Sequence, residues 1–412
     1  MTNLKTIEDV MLPMRVLNWI VGCGGIIEYP LNNPHVVMSL VYSAACTLNY
    51  CLLTYLCVYY NNNNTLSGNI ENGGVTRSDN LFQIFSYANT LVTVVTIFMG
   101  WRRGKGVKII IQSIQKVDVL LRKLGILDEY DKMFMKQIFL TAFTVTMITI
   151  LTIINGYTLF MCAFCSYDIK MIFVMKYNYP VGIMFINDIT FISYIRCLRR
   201  KFQQLNDMLK TMSGASPLYP QYMKLITAKT RMDKTQSNKL EHKTNDDTQM
   251  IRVAKQAHLA LVRICKRVNN IFRLHLLMSM TLASVFIIYF SYNAYTVYLY
   301  SHEKNKSKEI ISSLNYLLFF IMKILTVNHI CDRTSLEALK TGSIVCELHE
   351  PATSKEFRLE IGDFTLQLIQ NPLKFSAFGI VTLDHTFIQD VVGTITTYLV
   401  ILVQLRDMTE SK

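Results

Sequence analysis

Long uncharged apolar runs alternate along this chain with short basic, polar stretches. A helix crosses a hydrocarbon core of roughly 30 Å at about 1.5 Å per residue, so a span needs about 20 apolar residues. Runs 36–60, 81–100 and 137–167 carry no charge, and the last is long enough to tilt or overshoot the bilayer. Run 274–301 carries only His275. Three further runs are interrupted: 171–195 by Lys176, Pro180 and Asp188; 310–330 by Lys323 and His329; 375–405 by Asp384, His385 and Asp390. Core helices of a soluble protein seldom stay apolar for so long. The pattern predicts an all-α membrane protein with seven transmembrane helices.

The segments between the runs have their own character. Residues 12–27 are apolar but broken by Pro13, Arg15, Gly22, Gly24 and Gly25. They predict a half-inserted, interrupted helix within a cytoplasmic N-terminal segment, 1–35. Glu8 and Asp9 occupy the place of a basic n-region, which argues against a signal peptide. Residues 211–250 are polar and include Ser213-Gly214-Ala215-Ser216-Pro217, which reads as a flexible linker within the spanning region 36–330. Residues 251–301 contain neither Pro nor Gly. They predict one helix of about 50 residues, about 75 Å long, of which only about 30 Å fits in lipid. Residues 331–374 read as helix punctuated by Gly342, Pro351, Gly362 and Pro372. With the projecting ends of the later spans they are expected to form a cytoplasmic anchor bundle. Residues 375–412 hold the last helix and a short tail. No internal repeat is present to support an inverted-repeat transporter.

Composition agrees with the pattern and charge gives it a direction. Hydrophobic residues make up 51% of the chain and charged ones only 17%, too few for an ordinary soluble protein. Basic residues crowd 101–136 and 196–273, including Arg102, Arg103, Arg196, Arg199, Arg200 and Lys201, whereas loop 61–80 has only Arg77. Loop 302–309, with Lys304, Lys306 and Lys308, runs the other way. Because Lys and Arg favour the cytoplasmic side, the N-terminus is expected inside and the C-terminus outside. Asn63 and Asn305 begin triplets that accept N-glycans, and both fall in loops expected outside. The net charge of +13 follows from this topology rather than from nucleic-acid binding.

The chemistry of an enzyme is missing. The ten cysteines are scattered, and the Cys162–Cys165 pair has no second pair to complete a metal site. The histidines are dispersed, and no nucleophile constellation or phosphate loop appears. No catalytic residue, metal or cofactor is expected.

The last run carries an arranged polarity instead. Asp390, Thr394, Thr397, Ile401 and Gln404 recur at steps of four and three, one face of a helix. Val392, Ile395, Leu399, Leu402 and Val403 form the opposite face. A polar stripe in a membrane must face protein or water. It suits helix–helix bonding, or a pore built from several copies around an axis, with Ile401 as an apolar constriction and Leu405 near the same face.

Thr397-Tyr398, five apolar residues and Gln404-Leu405 resemble the C-terminal signature of the insect gustatory receptors, which ends in Gln-Phe. Residues Phe364-Thr365-Leu366-Gln367-Leu368, Phe375-Ser376-Ala377-Phe378-Gly379 and Leu383-Asp384 resemble the segment before the last helix in that family. The resemblance implies a homotetrameric, ligand-gated, non-selective cation channel in the plasma membrane of chemosensory cells. It implies that the last helix lines the pore, with Ile401, Gln404 and Leu405 around the gate, and that a small-molecule tastant binds among the outer halves of the spans.

Candidate ligand contacts follow from polar groups within those spans. Asp188, beside Asn187, serves either a ligand or a structural partner such as Lys323, while Lys323 is expected to snorkel toward the cytoplasmic interface. Tyr292 and Asn293, with Asn315 facing them from the next span, suit a small polar molecule such as a sugar, or an interfacial belt. Bitter compounds remain open as ligands. A G-protein-coupled receptor also has seven spans but requires the reverse orientation, which the loop charge opposes.

Overall fold

A chain in lipid has no water to satisfy its N–H and C=O groups, so each apolar run must close its hydrogen bonds within itself as a helix. The computed structural model describes residues 6–23, 36–67, 76–127, 129–160, 167–212, 236–300, 306–348 and 354–410. Within these, the side chains at 36, 60–67, 76–86, 101, 105, 158–160, 167–170, 236–246, 300 and 406–410 are outside the description. The described residues form α1 (Ile7–Ile20), α2 (Val36–Ser67), α3 (Thr76–Lys123), α4 (Tyr130–Phe160), α5 (Tyr167–Met212), α6 (Gln236–Tyr300), α7 (Lys306–Glu347), α8 (Lys355–Gln370) and α9 (His385–Glu410). A hairpin, β1 (Ser376–Ala377) and β2 (Val381–Thr382), separates α8 from α9. Among the described residues six helices, α2, α4, α5, α6, α7 and α9, are long and apolar enough to cross a membrane. The uncharged run 81–100 lies on α3, but residues 81–86 of it fall among the side chains outside the description.

Charge within a span decides its place. In the most apolar stretch of α5, 89% of the residues are buried, against 17% in α2 and 22% in α4. α5 carries Lys176 and Asp188, which need protein partners, and it packs against α1, α2, α3, α4, α6 and α7. The uncharged α2 and the uncharged part of α4, from residue 137 on, leave most of their apolar stretches exposed, as lipid allows. Pro180 sits inside α5 and lacks the N–H that would bond the Lys176 carbonyl four residues earlier. The Tyr50 hydroxyl of α2 donates to that carbonyl at 3.5 Å. The kink-prone site is thereby tied to its neighbour.

Beyond the spans, α6 extends to 65 residues, and its first half packs with the ends of α5 and α7 and with α8. Asn206 donates to the Glu337 carbonyl at 2.9 Å and accepts from Thr341 at 2.7 Å. Lys255 pairs with Glu360, and His258 lies between the rings of Phe202 and Phe364. Buried Asp118 pairs with Lys201 and accepts from Tyr130, joining α3, α4 and α5. These contacts join α3, α4, α5, α6, α7 and α8 into a helical bundle at one end of the spans.

Four expectations change. First, Pro13 and Arg15 do not interrupt α1, which buries Ile7, Val10, Met11 and Met14 against α4 and α5 and ends at Ile20, just before Gly22; Gly24 and Gly25 lie outside the described residues. Its Thr6 hydroxyl and N–H both donate to Asp9, an N-terminal cap that the apolar pattern alone does not reveal. Second, α6 begins at Gln236, inside the stretch 211–250 read as linker; 213–235 lies outside the described residues. Third, run 375–405 is not helical throughout. Phe375, Ala377 and Leu383 are buried in the hairpin region, and α9 starts only at His385. Phe378 (φ 56°) and Gly379 (φ 73°) both have left-handed backbones, the requirement of a type I′ turn. Fourth, Lys323 does not snorkel; it is 2% exposed and bound to Asp188. The Cys162–Cys165 pair and Asn305 lie outside the described residues, and Asn63 lies near the end of α2 with its side chain outside the description.

Candidate functional site

Three groups of polar residues stand out against the apolar spans. The first is a buried charge cluster joining α5, α6 and α7. The Asp188 carboxylate accepts from His275 Nε2 at 2.9 Å and from Ser279 Oγ at 2.9 Å, and pairs with Lys323 Nζ at 3.1 Å. All four residues are buried. A carboxylate at this depth is tolerated because three donors and one full positive charge replace its water. Asn187, the preceding residue, donates to the Ile183 carbonyl of its own helix. Arg103 of α3 lies nearby against the Phe272 ring and donates from Nε to the Met99 carbonyl.

The second group is a polar and aromatic seam toward the other end of the spans. Asn155 of α4 donates to Asn178 Oδ1 of α5 at 2.8 Å, and Tyr316 of α7 donates to the same oxygen at 3.1 Å. Ser312 donates to Asn155 Oδ1 at 3.1 Å. Asn293 of α6 donates to Ser313 of α7 at 2.9 Å. Beneath these lies a stack of rings: Phe290 on Tyr316 at 4.6 Å between centroids, and Phe286 on Phe320 at 5.0 Å. Four helices thus contribute amides, hydroxyls and flat apolar faces to one place, the composition of a small-molecule site. Asn315 Nδ2 is buried without a hydrogen-bond partner among the described residues.

The third group is α9. Asp384 starts it, accepting from the N–H groups of Thr386 at 3.0 Å and Phe387 at 3.2 Å and from the Thr386 hydroxyl. Partial burial raises the pKa of this carboxyl, but the hydrogen bonds from Thr386, Phe387 and Thr382 outweigh it and hold the net value below the ordinary one. The helix docks on α6 and α7 through Phe387, Ile388, Val391 and Ile395, all near its start. Of its most apolar stretch only 6% is buried. Asp390, Thr394, Thr397, Ile401, Gln404 and Leu405 are all exposed. Thr394 and Thr397 bond back to the carbonyls of Asp390 and Gly393, which satisfies their hydroxyl protons and leaves lone pairs outward.

The sequence-derived candidates therefore separate. The pore-face residues Thr394, Thr397, Ile401, Gln404 and Leu405 share one exposed face. Asn293 belongs to the seam and Asn315 is a near neighbour in sequence of its Tyr316; Tyr292 is half-buried on the same helical turn as Asn293. Asn187 and Asp188 sit apart, in the charge cluster. Asn155, Asn178 and Ser312 escaped the sequence reading. Single amides inside apolar runs were the available signal, since each demands a partner across a helix interface.

Comparison with known proteins places this architecture. The chain matches the 7tm chemosensory receptor family over residues 14–409. Among curated proteins it is similar to the gustatory and pheromone receptor 32a of Drosophila melanogaster, 27% identical over 42% of this chain and 36% of that one. It is also similar to gustatory receptor 68a of the same fly, 32% identical over 20% of this chain and 21% of that one. The gustatory receptor for sugar taste 43a is 29% identical over 27% and 26%. The chain thus spans about a third or less of the length of the curated relatives it matches. Among solved structures it resembles the insect olfactory receptor OR5 of Machilis hrabei in complex with eugenol, with a TM-score of 0.59, 13% identity and 97% of both chains covered. That likeness is one of fold. With a family match from α1 to the last turns of α9, this multi-pass membrane protein belongs to the 7tm chemosensory receptor family, a family of receptors rather than enzymes.

Proposed function

We propose that this chain is a gustatory receptor that works as a ligand-gated, non-selective cation channel in the plasma membrane of chemosensory cells. Four copies surround an axis, seven helices of each span the membrane, and α9 of each lines the pore. The N-terminus lies in the cytoplasm and the C-terminus outside. The observation that carries this reading is the state of α9. It is apolar enough to span, yet its polar face is exposed from Asp390 to Gln404 and its docking is confined to its first turns. Groups such as Gln404 do not face lipid without cost, so the face is completed by water and by other copies. Ile401 and Leu405 form the narrow apolar rings of the gate.

The tastant binds in the seam among α4, α5, α6 and α7. Amides and hydroxyls over stacked rings suit a sugar, and one relative in the family is named for sugar taste. A small aromatic compound uses the same rings. The seam is closed by direct side-chain bonds, so ligand entry must exchange the Asn155–Asn178 and Asn293–Ser313 bonds for bonds to itself. Whole-cell currents from cells expressing this chain alone, against sugars, amino acids and bitter compounds, test the proposal. A cation current evoked by one class supports it. Normal surface expression with no current to any of them, with or without a co-expressed receptor of the family, overturns the channel reading.

A further inference from the structure

A cavity of about 260 Å³ opens where the start of α4 and the basic end of α5 meet α1. Its floor is protein core: Gln137 and Ser193, bonded to each other at 2.9 Å, with Met11 and Cys197. Its walls are cationic. Lys132, Lys136, Arg196, Arg199 and Arg200 all line it, and Glu129 is the one acidic side chain in the lining. Glu129 is fully engaged, bonded to Arg200 Nη2 at 2.7 Å and Lys132 Nζ at 3.0 Å, and these two cations hold its carboxyl below the ordinary carboxylate range. Among the described residues Lys136, Arg196 and Arg199 form no ion pair, and Arg199 Nε is buried without a hydrogen-bond partner. Gathering like charges around a concave wall costs energy unless an anion shares it.

We propose that this cavity binds a phosphate-bearing anion, the headgroup of a multiply phosphorylated membrane lipid or its soluble equivalent. Guanidinium forks at Arg196 and Arg199 match phosphate oxygens in pairs, and Lys136 adds a point charge. The position favours a lipid source. Lys136 directly precedes the uncharged run 137–160 of α4, and Arg196 directly follows the apolar run 171–195 of α5, so the cavity lies at headgroup depth. At about 260 Å³ it is just below the usual pocket range of roughly 300–1,000 Å³, which admits a headgroup and leaves acyl chains in the bilayer. The site joins α1, α4 and α5, with Ile330 of α7 also in its lining, and shares no lining residue with the seam or with α9, so the proposal does not rest on the channel reading.

The test uses the purified full chain in phosphatidylcholine nanodiscs, with and without phosphatidylinositol bisphosphate, and soluble inositol trisphosphate as competitor. Binding of a fluorescent phosphatidylinositol bisphosphate is compared among wild type, Lys136→Gln/Arg196→Gln, Arg199→Gln, and a control, Lys266→Gln/Arg267→Gln, that removes two exposed cations elsewhere. Each cation lost from the cavity should weaken binding by about ten-fold, with the control unchanged. The neutralised residues line a wall rather than the core, so all variants should match wild type in size-exclusion profile and melting temperature. Competition by inositol trisphosphate assigns recognition to the phosphates alone; tight binding only of the lipid assigns the membrane as source; both support the site. Equal affinity in wild type and cavity variants, or equal loss in the control, overturns it.

Discussion

At the scale of single residues, Asp188 and Lys323 show what a charge buried within a span requires. Asp188 shares its carboxylate among His275, Ser279 and Lys323, and every one is buried. Removing it strands Lys323 without water or a counter-charge, a loss of about 3–5 kcal/mol. Asp188→Ala should therefore abolish surface expression, and Asp188→Leu/Lys323→Met should restore most of it. A single variant that reaches the surface normally but loses its tastant response would instead make Asp188 a ligand contact. Gly100 carries a different constraint. A Cβ there would strike the backbone of Cys23 just after α1, and backbone cannot swing aside as a side chain does. Gly100→Ala should cost about 1–3 kcal/mol and lower the melting temperature in detergent.

At the scale of elements, α5 and α9 are opposites. Both come from runs interrupted by charge, yet of the six candidate spans α5 is the most buried and α9 the least. The hairpin between α8 and α9 explains how so weakly docked a helix is aimed. Asn269 of α6 donates to the Ser376 carbonyl at 2.8 Å, Arg273 of α6 lies over the Phe378 ring, and Asp384 closes the first turn of α9. Stability from Asp384 is present above the ordinary carboxylate pKa and is lost as pH falls through its depressed value, because protonation removes the charge its donors bond. At α9 itself, Ile401→Ala or Leu405→Ala should raise basal current in the absence of tastant. Unchanged basal current at normal surface expression would remove these residues from the gate. In the seam, Asn178→Ala and Asn293→Ala should shift the tastant dose–response at least several-fold, whereas a curve identical to wild type would place the ligand elsewhere.

At the scale of the whole molecule, the charge pattern and the exposed α9 each lead to an expected outcome. Epitope tags on intact cells should be accessible at the C-terminus and hidden at the N-terminus, because the basic stretches 101–136 and 196–273 favour the cytoplasm. The reverse accessibility would fit a G-protein-coupled receptor and refute the channel topology. Native mass spectrometry should find four copies per particle, since one copy leaves the polar face of α9 against lipid.

Much of this protein was legible in its sequence for a plain reason. Lipid forbids unsatisfied backbone, so long apolar runs become helices whatever their neighbours, and runs 36–60, 137–167 and 274–301 lie largely on α2, α4 and α6. The stripe on α9 was legible too, because a helix repeats every 3.6 residues and the stripe repeats with it. Contacts between helices were not. Nothing local pairs Asp188 with Lys323, or sets Asn155 against Asn178, because those partners meet only when the helices pack. Tertiary structure alone decided that α1 is a buried strut, that residues 375–384 turn a hairpin instead of extending α9, and that the cations after run 171–195 line a cavity with those before run 137–160. Sequence sets which segments must leave water; packing sets which of their polar groups find one another.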